Sequence, residues 1–117
     1  MTPVDLPVYA VESVADGDTL TLIAEVGLDT LRRVRIRLAV VDTPERGKPG
    51  WAEAREYVRW WAMGQGTDGR RVALHRTASG RHIETFGRYI ADLYDADTGD
   101  TLSAALLREG LAVIWKD

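Results

Sequence analysis

Acidic residues fall where two predicted strands begin or end, and this placement is the first sign of chemistry in the sequence. Asp18 shares the parity of Leu20 on one strand, and Asp42 continues the alternating apolar row that begins at Val34 on the next. Because side chains alternate across a strand, both aspartates are expected at the ends of core-facing rows. Glu45 follows Asp42 in the adjoining loop. Carboxylates gathered at a barrel mouth repel one another unless protonated or neutralised by a cation, and all-oxygen ligands suit Ca²⁺ or Mg²⁺ rather than zinc.

Each of these fragments also has an ordinary structural explanation. Asp16-Gly17-Asp18-Thr19 is typical of a hairpin turn, and Asp42-Thr43-Pro44 is typical of a strand that leaves a sheet through an Asx-type turn. A row of arginines on the third predicted strand is typical of a solvated face, and periodicity does not choose among its members, Arg33, Arg35 and Arg37. The argument for chemistry therefore depends on the fragments taken together.

Periodicity and turn signals predict the elements that position these residues. Strands are predicted over residues 8–14, 18–24, 30–41, 70–76 and 88–94, helices over 51–65 and 101–108, and a last extended piece over 111–115. Gly110 suits a left-handed cap at the end of the second helix. The pattern predicts a mainly β protein with helices (α+β), a five-stranded OB-fold-type barrel with two or three helices. One domain is expected over residues 1–117, with its core at about 8–115.

The third predicted strand carries a conflict of parity. Arg37 and Asp42 point to opposite faces of an ideal strand, although both are candidates for one site. A bulge or a sharp bend between them is therefore required, at a position that the sequence does not locate.

Composition limits the classes of site and partner. The chain has no cysteine, which excludes disulfides and thiolate metal sites. Its net charge of −3 does not favour tight non-specific binding to nucleic acid, so any phosphate chemistry must be local. Of the 15 basic residues all but Lys48 and Lys116 are arginine, whose fork fits two phosphate oxygens at once, although biased codon usage is an alternative explanation.

Location is predicted by default rather than by a signal. No apolar run approaches the roughly 20 residues of a membrane span, and the first residues have neither a basic region nor an apolar core. We expect a soluble, cytoplasmic monomer without a membrane partner, and secretion stays open.

In their order and spacing the fragments resemble the staphylococcal nuclease (thermonuclease) family. The likeness rests on Asp16-Gly17-Asp18-Thr19, on Arg37 five residues before Asp42-Thr43-Pro44-Glu45, and on Phe86-Gly87-Arg88 at the fifth strand. Gly110-Leu111-Ala112 after the short helix adds to it, so that the likeness spans about residues 8 to 114. Phe86 departs from the tyrosine that is common in the family, which removes a hydroxyl contact to phosphate.

The resemblance implies a calcium-dependent phosphodiesterase that hydrolyses DNA and RNA, prefers single strands and leaves 3′-phosphates. Asp18 and Asp42 would be side-chain ligands of Ca²⁺, and Thr43 would supply its backbone carbonyl. Asp16 would lie next to these ligands without binding the ion directly.

The same resemblance implies roles for three residues in the reaction. Arg37 and Arg88 would grip the scissile phosphate, and Glu45 would hold or deprotonate the attacking water. Glu84, which precedes Arg88 in its loop, is expected to order that loop. Trp115 could offer a surface on which bases stack or could fill the barrel, and the second interpretation is favoured.

A non-catalytic OB-type module that binds nucleic acid or protein is the alternative. The enzyme is favoured because a pure binder has no need of the whole set Asp18, Arg37, Asp42, Glu45 and Arg88. A third interpretation, a protein-interaction domain, rests on the acidic net charge and on Trp60, which lies off the apolar face of the first helix.

Overall fold

Strands and helices make up most of the computed structural model, which describes residues 4–64, 70–74 and 87–115. The protein is mainly β with two α-helices in this part of the chain, in agreement with the predicted class. The elements follow in the order β1 (Val4–Asp16), β2 (Thr19–Glu25), β3 (Leu31–Leu38), β4 (Val41–Asp42), α1 (Trp51–Arg59), a π-helical turn (Trp60–Gly64), β5 (Arg70–Leu74), β6 (Tyr89–Asp95), α2 (Leu102–Arg108) and β7 (Val113–Ile114).

The longer strands curl into a barrel-like sheet with the order β1-β2-β3-β6-β5. Neighbouring strands are antiparallel except β3 and β6, which run parallel. The first residues of β1 pair with β5, from Val4 opposite Leu74 to Pro7 opposite Arg71. Irregularities in register along the β1–β2 pair give the long first strand the extra bend that such curling requires.

Apolar residues of alternating parity fill the interior of this sheet. Leu20 and Leu22 of β2, Ile36 and Leu38 of β3 and Leu93 of β6 are fully buried. The helices close over the interior with Ala54, Val58, Leu102 and Leu106, which are also fully buried. The predicted hairpin over residues 8–24 is confirmed, with Asp16 opposite Thr19 at its turn.

A bend ends β3 and separates it from β4. Residues 39 and 40 form the bend, so the predicted continuous strand over residues 30–41 is wrong, whereas the predicted break between Arg37 and Asp42 is confirmed. The bend shifts the alternation, because Val40 is 40% exposed and Val41 is fully buried. The expectation that Asp42 continues the core-facing row is therefore also wrong, since its side chain is 54% exposed.

Local signals fix the ends of α2. Thr101 precedes the helix in extended conformation, and its hydroxyl accepts a hydrogen bond from the backbone N–H of Ala104. Gly110 follows the helix with a φ of 72°, the left-handed conformation that the sequence predicted there. Within the described ranges, no helix is both long enough and apolar enough to cross a bilayer.

Candidate active site

A cleft of about 270 Å³ lies where β2 begins and β3 ends. Seven of the residues singled out from the sequence line it: Asp16, Asp18, Arg37, Asp42, Thr43, Glu45 and Arg88. Pro44 and Trp115 complete the described walls. Two further residues named from the sequence, Glu84 and Phe86, lie outside the described residues.

Asp18 is the buried centre of this cleft. Asp18 is only 7% exposed, and each of its carboxylate oxygens accepts a hydrogen bond. Oδ2 accepts a hydrogen bond of 2.9 Å from the backbone N–H of Thr43, and Oδ1 accepts one of 3.1 Å from the hydroxyl of Thr19. The Nη2 atom of Arg37 lies 3.6 Å from Oδ2. Asp18 thereby ties the β1–β2 turn to the loop that follows β4.

Thr19 links a second arginine to this carboxylate. The parallel pairing of β3 with β6 brings the start of β6 beside β3, and Arg88 directly precedes β6. Nη1 of Arg88 donates a hydrogen bond of 2.7 Å to Oγ1 of Thr19, which in turn donates to Asp18. Sequence reasoning assigned no role to Thr19, although its place next to Asp18 in the hairpin signal could have suggested one.

The guanidinium of Arg37 is buried inside the bend. Nη1 donates to the backbone carbonyls of Leu38 and Val41 at 2.7 and 2.6 Å. Nη2 donates to Oδ1 of Asp42 at 2.9 Å. Arg37 is 5% exposed, so this arginine of the predicted solvated row belongs to the interior and holds the bend in shape.

Trp115 stacks on Arg37 instead of filling the barrel. The Cζ atom of Arg37 lies 4.1 Å from the centroid of the indole ring, a distance typical of a cation–π contact. Trp115 is half-buried, lines the cleft and is not among the residues of the described core. Its backbone N–H donates to the carbonyl of Val40 at 2.8 Å, within the bend. The favoured interpretation of Trp115 as a barrel plug is therefore wrong.

The turn that precedes Asp18 is tightly packed around Gly17. A β-carbon at this position would lie 2.9 Å from Cβ of Ala54, closer than real β-carbon contacts come, and 3.0 Å from Oγ1 of Thr43, tighter than most such contacts. Beside it, Oδ1 of Asp16 accepts a hydrogen bond of 2.7 Å from Nε1 of Trp51, the first residue of α1. The β1–β2 turn, the loop after β4 and α1 therefore pack tightly against one another.

Glu45 lies in the loop after β4, where it is exposed and faces the same cleft. The carbonyl of Glu45 accepts a hydrogen bond of 2.9 Å from the N–H of Lys48, which tightens the loop. An exposed carboxylate on the rim of a polar cleft can hold a water molecule by accepting a hydrogen bond from it.

The donor chemistry at this site is that of oxygen atoms. Asp18, Asp42 and Thr43 line the cleft, and carboxylate and carbonyl oxygens of such residues are ligands that fit a hard divalent cation. Among the residues that the structure describes, no three His, Cys, Asp or Glu side chains are grouped closely enough to hold a metal ion. Both aspartates instead contact Arg37, which neutralises part of their charge.

Comparison with known protein families and with curated proteins finds no match for this chain. The resemblance to the staphylococcal nuclease family therefore rests on the motifs and on their spacing.

Proposed function

We propose that the protein is a calcium-dependent nuclease on a five-stranded OB-type barrel, which hydrolyses phosphodiester bonds of DNA and RNA. The observation that carries this proposal is the meeting of Asp18, Arg37, Asp42, Glu45 and Arg88 in one cleft of about 270 Å³. Three carboxylates and two guanidinium groups are the parts that phosphodiester hydrolysis needs, and separate stretches of the chain supply them.

The two arginines would stabilise the charge that develops on the phosphate. Attack on a phosphodiester increases the negative charge on its non-bridging oxygens, and donors that are already in place stabilise it without reorganising. Arg37 is held by two backbone carbonyls and by the ring of Trp115, and Arg88 is held by Thr19. The two groups come from different strands and would hold the phosphate from two sides.

Glu45 would position the attacking water and take up its proton. Water is a weak nucleophile at neutral pH, and a carboxylate beside it contributes about 10²–10⁴-fold to the rate. The exposure of Glu45 on the cleft rim leaves room for that water.

Asp18, Asp42 and the carbonyl of Thr43 would hold the calcium ion. When bound, such an ion offsets negative charge on the phosphate and makes a nearby water more acidic. Asp18 is already fixed by Thr43 and Thr19, so its oxygens are oriented by the fold rather than by the ligand.

Digestion of single-stranded DNA in Ca²⁺ and in chelator tests this proposal. We expect cleavage in Ca²⁺, products with 3′-phosphates, and a rate reduced by ~10²–10⁴-fold in Glu45→Gln. Glu53→Gln is the matched control, since Glu53 is an exposed acid on α1 outside the described cleft walls. An unchanged rate in Glu45→Gln would show that this residue has no role in the mechanism. A wild-type protein that does not cleave DNA in Ca²⁺ would contradict the proposed nuclease function.

One observation favours the alternative, a non-catalytic OB-type binding module. The side chain of Arg37 is only 6% exposed and donates three hydrogen bonds to acceptors within the protein. A module of this kind would bind single-stranded DNA equally well in Ca²⁺ and in chelator, and Glu45→Gln would leave that binding unchanged.

A further inference from the structure

The barrel-like sheet holds a small apolar pocket that is separate from the cleft. The pocket has a volume of about 120 Å³ and shares no described wall residue with the cleft. Its aliphatic walls are Leu6, Ala24, Val26, Val34 and Ile36. Apolar cavities of about 150 Å³ take up one benzene ring, so this space has room for a single ring or a short hydrocarbon chain.

The pairing of β2 with β3 explains why space remains there. Leu22 lies opposite Val34, whereas the next pair on the same face joins Ala24 to Arg32. Ala24 is fully buried but has only a methyl group, and the side chain of Arg32 is exposed. This pair therefore leaves the end of a core-facing row unfilled, and it places an arginine at that end.

Arg32 is the one charged residue among the described walls of the pocket. Its Cζ atom lies 5.5 Å from the centroid of the Tyr89 ring, within the range of a cation–π contact, and Tyr89 also lines the pocket. A guanidinium held at a ring face keeps its N–H donors for a planar acceptor. In the part of the chain that the structure describes, no carboxylate or carbonyl accepts a hydrogen bond from Arg32. Arg32 therefore offers a charged donor group to a ligand of the pocket.

The charge of the walls decides which anion fits. One guanidinium neutralises one charge, and the aliphatic walls add no second cation to balance a dianion. A phosphate monoester carries about 1.5 to 2 negative charges at neutral pH and is therefore disfavoured. A carboxylate carries a single charge, and its two oxygens match the guanidinium fork.

We propose that this pocket binds a small organic carboxylate whose body is one ring or a short hydrocarbon chain. The carboxylate pairs with Arg32, and the hydrocarbon body fills the space beside Ala24 and contacts Ile36. This inference uses no residue of the cleft, so it stands or falls independently of the proposed nuclease function.

Titration with benzoate, followed by NMR, tests the proposal. We expect saturable shifts in the signals of Ala24, Val34 and Ile36, since these residues line the pocket. Benzamide keeps the ring without the charge, and acetate keeps the charge without the ring. Each should bind about tenfold more weakly than benzoate, because each lacks one of the two features that the pocket recognises. Saturable shifts that centre on Arg37 and Arg88 instead would place benzoate in the cleft and overturn the proposal.

Arg32→Gln and Arg35→Gln form a matched pair of variants. Arg35 is exposed on the same strand and does not line the pocket, yet its substitution removes the same charge. In Arg32→Gln we expect the Kd of benzoate to rise about tenfold, whereas in Arg35→Gln it should stay within about twofold of the wild type. Equal Kd values in the two variants would overturn the proposal.

Ala24→Leu tests the space rather than the charge. Its added carbons would occupy the pocket while Arg32 is retained, so we expect saturable binding of benzoate to be lost. Urea denaturation shows whether this variant folds, and a folded variant that binds benzoate like the wild type would overturn the proposal. If Ala24→Leu does not fold, the comparison of Arg32→Gln with Arg35→Gln decides the question, because both substitutions lie on exposed side chains.

Discussion

The two ends of β3 carry the same residue type in opposite surroundings. Arg33, near the start of the strand, is exposed and forms a bidentate ion pair with Glu12. Its Nε and Nη2 atoms lie 2.5 and 3.0 Å from the two carboxylate oxygens. Arg37, at the same parity near the other end, is 5% exposed and is enclosed by two carbonyls, Asp42 and an indole ring. Alternation along the strand therefore identifies candidates, and the bend that follows β3 selects among them.

The turns beside these two arginines differ in the same way. The turn after β2 places Leu28 completely in solvent, and a β-carbon at Gly27 would meet nothing within 4 Å. At the other end of the β2–β3 pair, Gly17 is packed against Ala54 and Thr43. Contacts from several elements thus fix the end that bears the candidate site, whereas the far turn is closed by backbone hydrogen bonds of its own, between Val26 and Thr30 and between Thr30 and Gly27.

Replacing Arg37 with alanine is expected to have the largest effect. The substitution leaves buried carbonyls of Leu38 and Val41 without a donor and removes the cation beside Asp18, so we expect a loss of about 3 kcal/mol in unfolding free energy. Urea denaturation measures this loss, with Arg33→Ala as the control on the same strand. Because Arg33 is exposed, its loss should shift the midpoint little. Similar shifts of the urea midpoint in the two variants would show that Arg37 contributes no more to stability than Arg33 does.

Gly17→Ala is expected to have the next largest effect. Its new β-carbon would press on Ala54 and Thr43, neither of which has a flexible end that can move aside. Overpacking of this kind costs about 1–3 kcal/mol, measurable as a lower urea midpoint. Leu28→Ala in the opposite turn is the comparison, and it should leave the midpoint nearly unchanged because Leu28 is 100% exposed. An unaffected midpoint in Gly17→Ala would show that the hairpin is not tightly packed against α1.

Removal of the indole at Trp115 tests the stacking on Arg37. Trp115→Ala should lower the unfolding free energy by about 1 kcal/mol, and Trp115→Phe, which keeps a ring face, should recover part of it. If Arg37 acts in the reaction, DNA hydrolysis should fall in Trp115→Ala and recover in Trp115→Phe to a similar degree. Trp60→Ala removes an indole that is 56% exposed and is not among the described cleft walls, and it serves as the control. Equal losses in the alanine and phenylalanine variants would argue against a role for the ring face.

Local chemistry explains how much of this fold could be predicted from the sequence. Asp16 and Gly17 between two alternating runs are sufficient to predict the hairpin. Gly110 marks the end of α2, and the helix predicted over residues 101–108 begins one residue later, at Leu102. These signals act between neighbours in the chain, so no knowledge of tertiary structure is needed to interpret them.

The bend after β3 could not be placed because distant residues make it. The carbonyl of Val40 is engaged by the N–H of Trp115, and β4 pairs with β7 near the other end of the described chain. The burial of Arg37, the exposure of Asp42 and the position of Trp115 all follow from this pairing. The residues of the cleft could be named from their spacing, whereas their contacts, such as the link from Arg88 through Thr19, required the assembled barrel.

The smallest expected effect lies at the exposed end and depends on pH. The hydrogen bond from Arg33 holds the pKa of Glu12 below its ordinary value, with the charge of Arg33 acting in the same direction and desolvation opposing it. A carboxyl whose pKa is lower in the folded state adds stability above its unfolded pKa, ~4.3, and this contribution disappears as the pH falls through the folded value.

Glu12→Gln should therefore be slightly less stable than the wild type at neutral pH, and the gap should narrow as the pH falls below the unfolded pKa of ~4.3. Urea midpoints of both proteins across this range measure the gap. Repeating them in about 1 M salt, where screening acts over ~3 Å, should shrink it at neutral pH as well, because the pair is exposed. A gap that widens as the pH falls would reverse the sign of the pKa shift and show that Arg33 does not favour the ionised form of Glu12.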